Sequence, residues 1–167
     1  LLTLATGTGK TFIAFQIAWK LFHARWNNRA RENIRPRILF LADRNILADQ
    51  AYNSFSAFQE DALVRVRPSQ IRKNGKAPTA GSIFFTIFQT FMTGNGEELE
   101  ESEATSLKTF EEYPPDFFDV IIVDECHRGG ANDESSWRAI LEYFEPAVQI
   151  GLTATPKRDA NVDTYAY

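Results

Sequence analysis

The stretch "LLTLATGTGKTFIAFQIAWKLFHAR", residues 1–25, decides the fold. Residues 1–6 form an apolar run that reads as a strand. Residues 10–25 carry Ile13, Ile17, Leu21 and Ala24 along one stripe, which reads as a helix. Between them lies "ATGTGKT", 5–11. A glycine-rich turn that runs from a strand into a helix is a phosphate cradle. Gly7 and Gly9 permit the tight turn, and the helix amino terminus aims positive dipoles at an anion. Lys10 would reach the β and γ phosphates of a nucleotide, and the Thr11 hydroxyl would ligate Mg²⁺. The general pattern G-x-x-x-x-G-K-[ST] puts its first glycine at position 4. Leu4 stands there, so the pattern is incomplete, and a chance glycine-rich turn before a helix is the bland alternative.

Five more short apolar runs follow: 37–42, 62–66, 82–87, 117–124 and 147–154. Several are apolar on both faces, as parallel strands covered by helices are. Helices are expected at Arg44–Phe58, on Leu47, Ala51 and Phe55, and at Asp133–Phe144, on Trp137, Ile140, Leu141 and Phe144, with Asp133 as cap. Alternating strands and helices imply an α/β domain with a mainly parallel, doubly wound sheet. Ligands of such folds bind at the carboxyl ends of the strands. Residues 93–116 break the alternation. They run from "TGNGEE" through a glutamate-rich patch to "YPPD" and read as a surface insertion.

The fifth run ends in "VIIVDECHRGG", 120–130. A phosphate-loop enzyme holds Mg²⁺ with an acid at the end of a neighbouring strand. Asp124 suits that task, and Glu125 would position and deprotonate the attacking water. A polar strand terminus of no special role is the alternative. A zinc site at Cys126 and His127 lacks ligands: the only other histidine, His23, lies in the first helix, and there is no second cysteine. Adjacent residues in an extended chain point apart, which also disfavours a Cys–His dyad. The sixth run leads into "GLTATPKR", 151–158, whose Thr153, Ala154 and Thr155 are small or hydroxylated and able to bond neighbouring loops.

The bulk numbers fit one globular domain: 167 residues, 44% hydrophobic, 14 phenylalanines. No apolar run is long enough for a membrane span, and a single cysteine suits a reducing cytoplasm. The net charge of −4 argues mildly against a nucleic-acid partner, but five glutamates sit in "EELEESE", 97–103. Two stretches are basic. Residues 24–37 lie between a helix and the next strand, so they are expected to be solvated or to face another domain. Residues 65–76 follow a strand as a loop, which places Arg65, Arg67, Arg72 and Lys73 on the rim as candidate DNA contacts. The alternative for any charge run is a solvated surface.

"TGTGKT", "DECH" and "TAT", in this order, resemble motifs I, II and III of superfamily 2 helicases, the DEAD/DEAH-box type. "FLADRNILADQ", 40–50, is similar to motif Ia, and "TIFQT", 86–90, to motif Ib. Within the superfamily, "FLADRNILADQ", "DECHRG" and "LTATPKRD" followed by "NVDTYAY" look like the R (restriction) subunit of type I restriction enzymes.

That resemblance implies a three-layer RecA-like domain spanning 1–167, the first motor domain of a larger protein and by itself nearly inactive. It implies a motor that hydrolyses ATP with Mg²⁺ to translocate duplex DNA before cleavage. Its partners would be a second RecA-like domain in the same parent chain and the specificity and methyltransferase subunits of the complex. Motif I would comprise Ala5, Thr6, Gly7, Thr8, Gly9, Lys10 and Thr11. His127 would couple the ATP site to Thr153, Ala154 and Thr155. Arg44, Gln50, Gln89 and Thr90 would line the DNA-facing rim and hold phosphates without reading sequence. Another superfamily 2 ATPase of DNA repair or RNA metabolism is the nearest alternative. A P-loop kinase or nucleotide-binding regulator is the alternative of another class.

Overall fold

A computed structural model of the chain describes residues 2–5, 7–92, 109–124 and 138–154, together with the backbone of 158–159 and 162–163. All six expected strands are present, each shorter than its apolar run: β1 Leu2–Thr3, β2 Ile38–Ala42, β3 Leu63–Arg65, β4 Ile83–Ile87, β5 Val120–Asp124 and β6 Val148–Thr153. The helices are α1 Lys10–Ala24, α2 Asn45–Ser54, α3 Pro68–Asn74 and α4 Phe88–Met92, and residues 138–143 are also helical. A separate two-stranded antiparallel hairpin, β7 Arg158–Asp159 and β8 Val162–Asp163, was not anticipated from the sequence.

The six strands form one sheet in the order β1-β6-β5-β2-β4-β3, and every neighbouring pair is parallel. Successive side chains of a strand point to opposite faces, and here both faces are apolar. Ile38, Phe40 and Ala42 of β2, Ile83 and Phe85 of β4 and Ile122 of β5 join Ala14, Ala18, Ala48 and Ala51 of α1 and α2. Leu39, Leu41, Phe84, Ile121 and Val123 face the other way, against Ile71 of α3, Phe91 of α4, and Ile140 and Phe144. The result is three layers. Alanines on α1 and α2 let those helices lie close to the sheet, and aromatic rings fill the core on both sides.

Four expectations need correcting. The helix expected over Arg44–Phe58 stops at Ser54, because Phe55 and Phe58 leave the helical path to stack on each other, ring centroids 5.7 Å apart, beneath α1. The stretch 65–76 is not a loop. Pro68 opens α3 and Gly75, at φ 67°, closes it, with the Gly75 N–H donating to the Ile71 carbonyl at 2.8 Å.

The described part of the expected insertion, 109–116, belongs partly to the core. Phe110 and Tyr113 are buried, and the Tyr113 hydroxyl donates to the Pro78 carbonyl at 2.9 Å. Residues 93–108, with the glutamate patch, lie outside the described residues.

The basic stretch before β2 packs on the domain's own base rather than standing free. Its anchor is Asp119, 1% exposed at the amino end of the β5 strand. Asp119 accepts the Asn28 N–H and the Arg37 N–H, each at 2.9 Å, and pairs with Arg31 at 3.5 Å. Arg29 pairs with Asp116, and the Arg35 and Arg37 guanidiniums lie over the Phe22 and Phe117 rings, each 4.2 Å from the centroid.

Candidate functional site

The carboxyl ends of the strands form one rim, where the phosphate turn, Asp124, Thr153 and the starts of α2, α3 and α4 lie. At its β1 end the chain turns at Gly7, φ 80°, and Gly9, φ 86°. Both angles lie in the left-handed region, where glycine is the favoured residue. The Thr8 N–H and hydroxyl both bond the Ala5 carbonyl, at 3.3 Å and 2.6 Å, which fixes the turn. Among the described residues, a Cβ built on Gly7 meets nothing within 4 Å, so they leave space beside the turn. Gly9 caps α1 without a side-chain hydrogen bond. The positive end of the helix dipole therefore faces the turn with no capping side chain across it. Lys10 is buried at 9% exposure in the first turn.

The strand order sets what faces this turn. β6 lies between β1 and β5. Thr3 pairs in register with Thr153, and the Leu4 N–H donates to the Thr153 carbonyl at 2.9 Å. Leu152 pairs on its other side with Asp124. So the end of the β6 strand sits directly between the phosphate turn and Asp124, two strand spacings or about 10 Å across. Asp124 and Thr153 are buried, at 7% and 0% exposure. Open space at Gly7, an uncapped helix end, a lysine and a buried carboxylate on one rim fit a nucleotide triphosphate with a divalent cation. Thr6, Glu125, His127 and Thr155 lie outside the described residues.

The rim continues over β2, β4 and β3. Arg44 caps α2 with its side chain 72% exposed, 3.4 Å from Asp43. Gln50, Gln89, Arg72 and Lys73 are also exposed. Gln89 sits in α4 and Arg72 and Lys73 in the last turn of α3. Thr90 departs from the expectation of an exposed rim polar: it is 4% exposed, turned inward by α4. Arg65 departs further. It is buried, and its guanidinium is consumed by four protein acceptors. Arg67, by contrast, is half exposed and bonds Asp49 at 3.1 Å. The bonds from Arg65, and its charge beside that of Arg67, hold the Asp49 carboxyl below the usual carboxylate range.

Residues 1–158 match the family described as "Type III restriction enzyme, res subunit". The chain belongs to that family. This res-family chain is 45% identical over 168 residues to the "Type I restriction enzyme EcoAI endonuclease subunit" of Escherichia coli, across 100% of the chain and 18% of that protein. It spans less than a fifth of the length of the curated relatives it matches. Among solved structures it resembles the Hef helicase domain of Pyrococcus furiosus, with a TM-score of 0.67, 21% identity, and 95% of this chain on 30% of that one. It also resembles a nuclease-deletion mutant of the Type ISP restriction-modification enzyme LlaGI, solved with a DNA substrate mimic, with a TM-score of 0.58, 20% identity, and 95% of this chain on 16% of that one. These likenesses establish the RecA-like helicase fold. No helix among the described residues of the res-family chain is long and apolar enough to cross a membrane.

Proposed function

We propose that the chain is the ATP-hydrolysing motor domain of a DNA translocase, the endonuclease subunit of a type I restriction enzyme, which moves duplex DNA before cutting it. The observation that carries this reading is the position of the β6 end, bonded on one side to Leu4 at the entry to the phosphate turn and paired beside Asp124 on the other. The relative at 45% identity narrows it to restriction.

In this reading Ala5 to Thr11 wrap the triphosphate, with the amides of the turn and of the first α1 residues as donors. Lys10 holds the β and γ phosphates from a buried position, where reduced dielectric strengthens its pull. Thr11 and Asp124 hold Mg²⁺, which offsets charge on the phosphates when bound. Glu125 takes the proton of the attacking water. Any change in how the turn or Asp124 sits is felt by Thr153 and its neighbour Ala154, and with Thr155 and His127 these pass the hydrolytic state onward. Arg44, Gln50, Gln89, Arg72 and Lys73 track the phosphates of the duplex. The second RecA-like domain and the specificity and methyltransferase subunits belong to the parent assembly.

The test is Lys10→Ala in the full-length subunit. DNA-stimulated ATP hydrolysis should fall to background, and retained hydrolysis would refute the assignment. Stimulation of the wild type by RNA or single strands, but not by duplex DNA, would point instead to another superfamily 2 motor.

A further inference from the structure

Arg65 is the residue of the basic stretch that the sequence placed on the rim and the structure placed inside it. A buried arginine has few uses, and its hydrogen bonds show which applies. Its Nε donates to Asp49 Oδ1 at 2.8 Å and its Nη2 to Asn45 Oδ1 at 2.8 Å. Its Nη1 donates to the carbonyls of Val66 and Phe85, both at 3.1 Å. Four acceptors come from three segments: the first turns of α2, the exit of β3 and the body of β4.

Those segments carry the exposed rim polars. Asn45 follows Arg44, and Asp49 precedes Gln50. Val66 precedes Arg67. Phe85 lies on the strand that runs into α4 and Gln89. Beside the Arg65 guanidinium, the Arg67–Asp49 pair also links α2 to the β3 exit, through an arginine that is half exposed. The Arg44 cap has no side-chain hydrogen bond of its own. The planar fork of an arginine can serve two side chains and two carbonyls at once, which the point charge of a lysine cannot.

We propose that Arg65 is a positioning residue for nucleic-acid engagement: it ties the first turns of α2 to the β3 exit and to β4, so that Arg44 and Arg67 meet successive backbone phosphates without reordering. The inference rests on the motor reading above. Rigid placement lowers the entropy cost of binding a long polyanion, so its loss weakens DNA binding and leaves the nucleotide pocket, at the other end of the rim, in place. A residue that only held the fold together would affect both.

The test uses the full-length subunit, titrating DNA-stimulated ATP hydrolysis against a duplex and, separately, against ATP. Arg65→Lys should raise the half-saturating DNA concentration on the order of tenfold, the scale of one charge-assisted hydrogen bond, with the KM for ATP moved less than about twofold. Asp49→Ala is the second variant. It sits on a helix at a half-exposed position, where alanine is the best helix former, so the fold survives. Its sign discriminates: if Asp49 merely repelled DNA, its removal would tighten binding, whereas a role as Arg65's anchor requires binding to weaken. Weaker DNA binding in both variants with an unmoved KM for ATP supports the proposal. Tighter binding by Asp49→Ala, unchanged DNA binding by Arg65→Lys, or equal loss in both titrations overturns it. A wild-type subunit whose hydrolysis ignores DNA would refute the motor reading instead, before either variant is made.

Discussion

Two glycines with positive φ make opposite demands, and exchanging each for alanine separates site from scaffold. At Gly7 the strain of a left-handed alanine is about 1 to 2 kcal/mol. Among the described residues a Cβ there meets nothing within 4 Å, so they add no packing cost. For a chain of this length that lowers the melting temperature by roughly 3 to 6 °C. The methyl group would occupy the open space above the turn, where phosphate oxygens must come within hydrogen-bonding distance of the amides. ATP with Mg²⁺ at a hundred times the dissociation constant should stabilise the unaltered protein by about 2.7 kcal/mol, and Gly7→Ala should lose that gain.

Gly81, at φ 137°, is the control. A Cβ there would lie 2.3 Å from Val64 Cγ2 and 3.5 Å from the Ala62 carbonyl oxygen. Overpacking and backbone strain together cost about 3 kcal/mol or more. Gly81→Ala should melt far lower than Gly7→Ala yet keep its full response to ATP. The assay is thermal unfolding followed by circular dichroism, with and without nucleotide. A normal ATP response in Gly7→Ala, or a lost one in Gly81→Ala, would refute the reasoning that the open space is the phosphate cradle.

Two further predictions concern the charges. Asp119→Ala strands two backbone N–H groups and the Arg31 guanidinium at the base of the sheet, and should cost about 4 kcal/mol, read as a lowered urea midpoint. The Asp49 carboxyl titrates below its ordinary value of 3.8 because Arg65 bonds it. Its stabilisation is therefore complete above pH 3.8 and disappears as the pH falls through the lower folded value, so Asp49→Asn should flatten the acid limb of stability against pH.

The phosphate turn was legible because its chemistry is local. Glycines, a lysine and a threonine in a fixed order, after an apolar run and before a helical stripe, leave few other shapes. The parallel sheet was legible from strands apolar on both faces. The position of β6 between β1 and β5 was not, since register across 150 residues has no trace in the order of the letters. The α3 helix is marked in the sequence by Pro68 and Gly75 at its two ends, but five cations across 65–76 give the stretch the composition of a solvated loop. Arg65 was misplaced for a related reason. An arginine at the end of a strand looks exposed until its acceptors are known, and those acceptors sit on α2 and β4. The aromatic core residues Phe110 and Tyr113 were hidden by the glutamate-rich run before them.

The pairing of β1 with β6 also sets an order of assembly. Leu2 finds its partner at Leu152 and Thr3 at Thr153, so β1 must wait for a strand about 150 residues further along. β2, β4 and β3 can pair with one another from a contiguous stretch of chain, whereas closing a loop of such length is slow. During synthesis the phosphate turn therefore has no β6 beside it until about 150 further residues have been made. The wall beside the phosphate turn is thus completed only when Thr153 has paired with Thr3, which would make a formed nucleotide pocket a mark of finished folding.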